Sequence, residues 1–202
     1  MIIDSNKIIV EYDANLQIYN SLADIVMYDL AKKLKGLKIH AIEYRIKSVA
    51  SLLDKIRRNK ITEPFQQIHD LVGFRVVCLF LADLEIIRSK IEDLFEVFDV
   101  DDKINESEID VFGYMSLHLK AKLKETSGHV SELTCIPFEV QVRTIAQDAW
   151  ASISHHLDYK QESVIPQQLR KDFHALSGLF YVADTHFSII KKGQASTVFR
   201  KE

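Results

Sequence analysis

Hydrophobic residues recur every three or four positions in several stretches of the chain, which is the period of helices with one buried face. Ser48 is a favourable N-cap for the second helix, and Gly36 a favourable stop for the first. The predicted helices cover about 10–34, 83–94, 145–157 and 165–192, and a further helix is predicted to begin at Ser48. The positions expected to face inward include Leu16, Tyr19, Leu22, Val26, Leu30 and Leu34, then Val49, Leu52, Leu53 and Ile56, then Ala146, Ala149, Trp150, Ile153 and Leu157, and finally Leu169, Phe173, Leu176, Phe180 and Val182.

Shorter apolar runs predict five strands, over 39–46, 72–81, 95–100, 117–123 and 133–144, the last with a break allowed at Pro137. Strands and helices alternate without a regular βαβ rhythm. The prediction is therefore an α+β fold, a mixed sheet of about five strands flanked by helices. We expect an N-terminal helical segment (1–38), a core (39–160) and a C-terminal helical segment (161–202).

Composition and charge exclude some classes of function. The chain has 202 residues, 47% of them hydrophobic, and a net charge of −3, which argues against a general polyanion binder. Basic residues nevertheless crowd 32–60 and acidic residues 83–110, which suits a nucleotide or an RNA end better than long duplex DNA. Cys78 and Cys135 lack metal-ligand spacing and are expected to be reduced core residues. With no long apolar run and no signal peptide, we expect a cytoplasmic protein without membrane contact.

The segment 138–144 alternates apolar and polar residues, so Glu139, Gln141 and Arg143 share one face of a half-buried strand. A carboxylate, an amide and a guanidinium suit a site for a metal and phosphates, although a solvated sheet face explains them equally well. Asp70 comes just before another apolar strand. Two carboxylates on neighbouring strands, together with substrate phosphates, are a usual way to hold Mg²⁺.

Two further groups of residues have the chemistry of a nucleotide site. Arg45, Lys47, Ser51 and Lys55 can line one groove near the start of the second helix, where an anion is favoured. On spacing alone, an ordinary exposed helix face explains them equally well. Tyr114 follows Gly113 on a predicted turn, where an exposed aromatic ring can stack on a base; a tyrosine packed in a loop is the simpler interpretation.

The pair His69-Asp70 also occurs in metal phosphohydrolases, but those domains are helical, whereas this pair leads into a strand.

Taken together, the motifs occur in a fixed order over about residues 39–160, and this series resembles the RelA/SpoT-type synthetase domain. The chain is similar to the small alarmone synthetases and to their toxic relatives. The motifs are Arg45-x-Lys47-x-x-x-Ser51-x-x-x-Lys55, His69-Asp70-Leu71-x-Gly73-x-Arg75, Gly113-Tyr114-x-Ser116-x-His118, Glu139-x-Gln141-x-Arg143-Thr144 and Trp150-Ala151-x-x-x-His155-x-x-x-Tyr159-Lys160.

The resemblance implies a nucleotidyltransferase-like fold and a pyrophosphokinase that moves the β,γ-pyrophosphate of ATP to the 3′-hydroxyl of an acceptor ribose. It implies that Asp70 and Glu139 hold Mg²⁺ and that Glu139 assists deprotonation of the hydroxyl. It also assigns two sets of binding residues. Arg45 and Arg75 would sandwich the adenine and Lys47, Ser51 and Lys55 would hold the phosphates of ATP, while Tyr114, His118, Gln141, Arg143 and His155 would form the acceptor side.

The identity of the acceptor stays open at this point. The first expectation is GTP or GDP; the alternatives are the 3′ end of tRNA, with Lys32 and Lys33 as backbone contacts, and an inactive module that senses a nucleotide. Members that make guanosine alarmones usually carry a basic and a small polar residue before the Gly-Tyr pair, where this sequence has Asp110, Val111 and Phe112. The resemblance also implies a homo-oligomer or, on the toxin branch, an antitoxin partner.

Overall fold

A computed structural model describes residues 4–102, 116–125, 128–157 and 166–198. The predicted strands 39–46 and 117–123 are confirmed at both ends, and the other strands and the helices are confirmed with shifted bounds. Within the described ranges the helices are α1 (Ser5–Lys33), α2 (Val49–Asn59), α3 (Pro64–Gln67), α4 (Leu84–Leu94), α5 (Ser131–Thr134), α6 (Ile145–His156) and α7 (Gln167–Val198), and the strands are β1 (Ile39–Ile46), β2 (Val72–Cys78), β3 (Phe95–Asp102), β4 (Leu117–Leu123) and β5 (Phe138–Thr144).

The five strands form one mixed sheet in the order β1-β2-β5-β4-β3. The pair β2 and β5 is parallel, and the other three pairs are antiparallel. The mixed five-stranded α+β fold predicted from the sequence is therefore confirmed. β5 lies at the centre, hydrogen-bonded on both sides, so any side chain that it presents has neighbours on two strands.

The sheet has one apolar face and one polar face because side chains alternate along each strand. On β5, Phe138, Val140 and Val142 are fully buried, whereas Glu139 and Gln141 point to the other side and are half-buried. The apolar face packs against α1, α2 and α4 in one hydrophobic core. Tyr19, Leu22, Val26 and Leu30 provide the buried stripe of α1, at helical spacing.

Helices α6 and α7 pack against each other beside this core. Trp150 of α6 lies between Phe173 and Phe180 of α7, with ring centroids 4.6 and 6.1 Å away. The outward face of α7 is largely apolar and exposed, including Leu179, Phe187 and other large side chains. None of the described helices is both long and apolar enough to cross a membrane.

Polar contacts join the second half of α7 to the body. Thr144, the N-cap of α6, donates a hydrogen bond from Oγ1 to Asp184 Oδ2 at 2.6 Å. Lys191 Nζ lies 2.6 Å from Asp83 Oδ1, and Leu81 N donates to Ser188 Oγ at 3.1 Å. Burial raises the pKa of Asp184 to about 6, although the bond from Thr144 opposes this increase.

Several expectations for the helices were wrong in detail. Helix α1 begins earlier than expected, because Asp4 caps it by accepting a hydrogen bond from Asn6 N. Its inward stripe continues through Tyr12 and Ile8, while Leu16 is exposed. Ile153 and Leu157 are exposed because the buried face of α6 is centred toward Ala151 and Ser154. In α7, Leu169, Leu176 and Val182 are exposed, and Phe173, Ser177, Asp184 and Ser188 are buried.

The segment before β5 also differs from the prediction. Residues 133–137 are not strand: α5 ends at Thr134, and Pro137 has no backbone N–H to donate to a sheet. The break allowed at Pro137 is therefore real. Cys135 lies in this connection and is exposed, so only Cys78 is the buried cysteine that we expected.

We predict that Asp184 makes the folded state less stable as the pH rises. The unfolded carboxyl has a pKa of 3.8 and the folded one about 6, so the folded chain binds the extra proton between these values. This contribution is greatest below pH 4 and is lost as the pH rises through 6. Asp184→Asn should therefore gain about 1–2 kcal/mol relative to wild type from pH 5 to pH 7.5, in urea unfolding monitored by circular dichroism.

Asp172→Asn is the matched control, since Asp172 lies on the same helix but is exposed. Parallel pH profiles for wild type and Asp184→Asn would contradict the prediction.

Candidate active site

The polar face of the sheet carries two rows of charged and polar residues. Strand register places Glu139 of β5 beside Gly73 of β2 and Lys120 of β4, and it places Gln141 beside Arg75 and His118. The rows continue onto β1, where Arg45 lies opposite Gly73 and Glu43 opposite Arg75. Because Gly73 has no side chain, the floor between Arg45 and Glu139 stays open. A solvent-open cleft lies here, lined by Glu43, Tyr44, Arg45, Asp70, Gly73, Phe74, Arg75, Glu139 and Gln141.

Glu139 is an ionised carboxylate held by two hydrogen bonds. His118 Nδ1–H donates to Oε1 and Gln141 Nε2 to Oε2, both at 2.8 Å. Burial alone would raise the pKa of Glu139, but the hydrogen bond and charge of His118 and the bond from Gln141 lower it below its ordinary value. Glu139 can therefore act as a proton acceptor or an anionic ligand at neutral pH.

Asp70 lies at the entrance to β2 and is paired with two lysines. Lys55 Nζ is 2.9 Å from Oδ1, and Lys47 Nζ is 3.0 Å from Oδ2. Burial would raise the pKa of Asp70, but the hydrogen bonds and charges of Lys55 and Lys47 lower it. The negative charge of Asp70 acts against the lowering of the pKa of Glu139. The two carboxylates are therefore within electrostatic range of each other.

Arg45 and Arg75 extend from neighbouring strands into the same cleft. Arg75 NH1 is 3.6 Å from Glu43 Oε2 and 3.4 Å from Asp148 Oδ1. The Nε atom of Arg75 is buried without a hydrogen-bond partner among the described residues, which leaves this donor for a bound ligand. Two guanidinium groups on adjacent strands can clasp a flat ring or an anion.

Arg143 is buried and bonded to the protein. Its Nε donates to Ser116 Oγ at 3.2 Å, NH1 to Asp148 Oδ1 at 3.3 Å and NH2 to Gln141 Oε1 at 2.5 Å. Burial and the charge of Arg75 lower the pKa of Arg143 to about 10, against the opposing effect of Asp148, so Arg143 remains charged at neutral pH. Its position suits a support for Gln141 more than a direct ligand contact.

Four other predicted residues are described but are not among those that line this cleft. Ser51 is exposed in the first turn of α2, where its backbone N–H and its hydroxyl both bond to Ser48. His155 is exposed near the end of α6. Lys32 and Lys33 end α1, which packs on the apolar face, and Lys33 pairs with Asp93 at 3.1 Å. Tyr114 lies outside the described residues.

Like Glu43, which lines the cleft and pairs with Arg75, Asp148 is a residue of the site that the sequence prediction missed. Its carboxylate contacts the guanidinium groups of both Arg75 and Arg143. The available signal was an acidic residue in the first turn of the helix that follows the strand of Glu139, a place where a carboxylate also favours the helix dipole.

The residues present fit a divalent cation coordinated partly by substrate. Among the described residues no group of three or more His, Cys, Asp or Glu side chains could hold a metal ion. Asp70 and Glu139 are, however, both ionised and line the same cleft. Two carboxylates with phosphate oxygens as the remaining ligands are a donor set that Mg²⁺ accepts.

Three comparisons relate this chain to known proteins. The GTP pyrophosphokinase YwaC of Bacillus subtilis (strain 168) is 32% identical over 155 residues, which cover 73% of this chain and 71% of that protein. The crystal structure of small alarmone synthetase 1 from Bacillus subtilis bound to its product pppGpp matches with a TM-score of 0.77 and 26% identity, covering 92% of this chain and 98% of that one. The structure of the same synthetase bound to AMPCPP matches with a TM-score of 0.71 and 25% identity, over 92% and 98%.

Residues 44–164 match the family described as a region found in RelA / SpoT proteins. The matched range begins on β1 just before Arg45 and runs past α6, so it includes both carboxylates, the two arginines of the cleft and Asp148. Since the match covers more than half of the chain, the chain belongs to the RelA/SpoT synthetase family.

Proposed function

We propose that this chain transfers the β,γ-pyrophosphate of ATP to the 3′-hydroxyl of a guanine nucleotide and so makes (p)ppGpp. The observation that carries this proposal is the pair of ionised carboxylates, Asp70 and Glu139, in one cleft with Arg45 and Arg75. The names of the relatives, a GTP pyrophosphokinase and a synthetase bound to pppGpp, support guanine as the base of the acceptor.

Arg45 and Arg75 would bind the adenine of ATP. They stand on adjacent strands with their guanidinium groups in the same cleft, and a guanidinium plane stacks well on an aromatic ring. The backbone of β2 between them carries only Gly73 on this face, which leaves room for a flat base.

Lys47 and Lys55 would bind the phosphates of ATP. Both lysines contact Asp70 in the described structure: Lys47 lies between β1 and the N-terminus of α2, and Lys55 lies further along α2. A polyphosphate carries more negative charge than one carboxylate. We therefore expect the two lysines to turn to the phosphates when ATP binds, which frees the oxygens of Asp70 for a cation.

Mg²⁺ would be held by Asp70 and Glu139 and, when bound, supplies neutralisation of charge on the transferred phosphates. The protein groups perform the rest of the reaction. Glu139 accepts the proton of the acceptor 3′-hydroxyl, whose oxygen bonds to the β-phosphorus of ATP. The bond from that phosphorus to the α,β-bridging oxygen breaks, and AMP leaves. His118 and Gln141 keep Glu139 ionised and aimed, and Tyr114 would stack on the acceptor base.

We predict that Glu139→Gln lowers kcat by at least about 10²-fold, because the amide neither accepts the proton nor binds a cation well. AMP release from labelled ATP, with Mg²⁺ and GTP, measures the rate. The structure should persist, since the side chain keeps its size. Glu92→Gln is the control, because the side chain of Glu92 pairs with Arg88 of the same helix, α4, and does not line the cleft. Activity near wild type in Glu139→Gln would refute the assigned role.

The acceptor is tested with the same assay and the purified protein. We expect AMP release with GTP or GDP and a product that carries the pyrophosphate on the guanosine. AMP release only with bulk tRNA would replace the guanine nucleotide by the tRNA 3′ end. No AMP with GTP, GDP, ATP or tRNA would favour a module that senses a nucleotide without reacting.

We also propose that copies of the chain associate through the outward face of α7, where Leu176, Leu179, Phe187 and Ile190 are exposed. Burying such a face in a second copy removes apolar surface from water. Light scattering after size exclusion should give a mass above the 23.3 kDa of one chain. Leu179→Glu should lower that mass, while a wild-type mass of one chain at micromolar concentration would contradict the proposal.

A further inference from the structure

The carboxylate of Asp148 lies between two arginines that serve different parts of the site. Its Oδ1 atom is 3.4 Å from Arg75 NH1 and 3.3 Å from Arg143 NH1. Arg75 stands on β2 and Arg143 on β5, and the register pairs neither with the other. Asp148 itself comes from α6, so one carboxylate on a helix bridges two strands of the sheet.

The two arginines differ in how firmly the rest of the protein holds them. The side chain of Arg143 is 4% exposed and has further bonds to Ser116 and Gln141. The side chain of Arg75 is 32% exposed, and it also pairs with Glu43, whose side chain is 62% exposed and whose Oε2 lies 3.6 Å from Arg75 NH1. Exposed ion pairs of this kind contribute little free energy toward holding a side chain in one orientation. The orientation of Arg75 therefore depends mainly on Asp148.

The charges of the neighbouring arginines also make the orientation of Arg75 depend on Asp148. Arg45, Arg75 and Arg143 are close enough for the charges of Arg45 and Arg75 to act on Arg143. Without Asp148, repulsion from the buried and immobile Arg143 would push the more mobile Arg75 out toward solvent.

We propose that Asp148 is a positioning residue that holds Arg75 in the orientation required for ATP binding. It acts through Arg75 and does not itself touch the donor nucleotide. This inference rests on the proposed function, because it takes Arg75 as a contact to ATP. It adds a residue on α6 to the donor site, which otherwise consists of residues on β1, β2 and α2.

The test is a double-mutant cycle on the full chain, with calorimetric binding of the non-hydrolysable analogue AMPCPP in the presence of Mg²⁺. Asp148→Asn should weaken binding roughly tenfold, which corresponds to the loss of one charge-assisted contact. Arg75→Met should weaken it by a similar or larger factor. In the Arg75→Met background, Asp148→Asn should have no further effect, since the residue through which it acts is gone.

Two further variants separate positioning from folding. Asp148→Glu keeps the charge and should retain affinity within about threefold of wild type. Asp54→Asn removes an exposed carboxylate that pairs with Arg58 of the same helix, α2, and it should leave the affinity for AMPCPP unchanged. Circular dichroism compares the folding of all variants, and the Asp148→Glu measurement keeps the test valid if Asp148→Asn unfolds.

The outcomes distinguish this inference from the proposed function. A wild-type chain that does not bind AMPCPP at all would overturn both. A wild-type chain that binds AMPCPP, with Asp148→Asn equally tight or with the two substitutions additive, would overturn the role of Asp148 alone. An Asp148→Asn effect confined to the KM of the acceptor would likewise move this residue to the acceptor side and overturn the inference.

Discussion

The candidate site depends on keeping one carboxylate ionised although most of its side chain is buried. Burial of Glu139 in the central strand favours its neutral form, and the nearby charge of Asp70 acts in the same direction. Hydrogen bonds from His118 and Gln141, one to each oxygen, outweigh both effects. A protonated Glu139 could neither accept a proton nor coordinate a divalent cation. The register that places His118 and Gln141 in the row beside Glu139 is therefore a precondition for the chemistry.

The same register extends this support across the sheet. Gln141 donates to Glu139 and accepts from Arg143, and Arg143 donates to Asp148, which also contacts Arg75. Donors and acceptors alternate along this series, so each member fixes the orientation of the next. The proton acceptor of the proposed reaction and the arginine assigned to ATP thus belong to one connected network, although they lie on different strands.

Local patterns in the sequence were enough to predict one face of the site. Alternation along 138–144 placed Glu139, Gln141 and Arg143 together because the strand period is a local property. The neighbours of this row could not be derived in the same way, since they depend on strand order and on the parallel pairing of β2 with β5. For this reason Asp148 was missed, and the contacts of Arg143 with Ser116 and Asp148 were not foreseen. Composition likewise grouped Lys32 with Lys47 in one basic stretch. In the structure, Lys32 lies in the last turn of α1, the helix that packs on the apolar face of the sheet.

Helix α7 shows how a distant element can stabilise this site. An amphipathic helix normally buries its apolar side, but α7 places Asp184 and two serines toward the body and several large apolar residues toward solvent. The buried acid accepts a hydrogen bond from Thr144, which ends β5 and caps α6. Thr144 joins the strand of Glu139 to the helix of Asp148, so this bond attaches α7 at the junction of those two elements. A carboxylate with a pKa raised to about 6 is an energetically costly group to bury at neutral pH. The position of Asp184 at the junction between β5 and α6 explains why this costly burial is useful: its hydrogen bond joins the C-terminal helix to the two elements that carry the polar network.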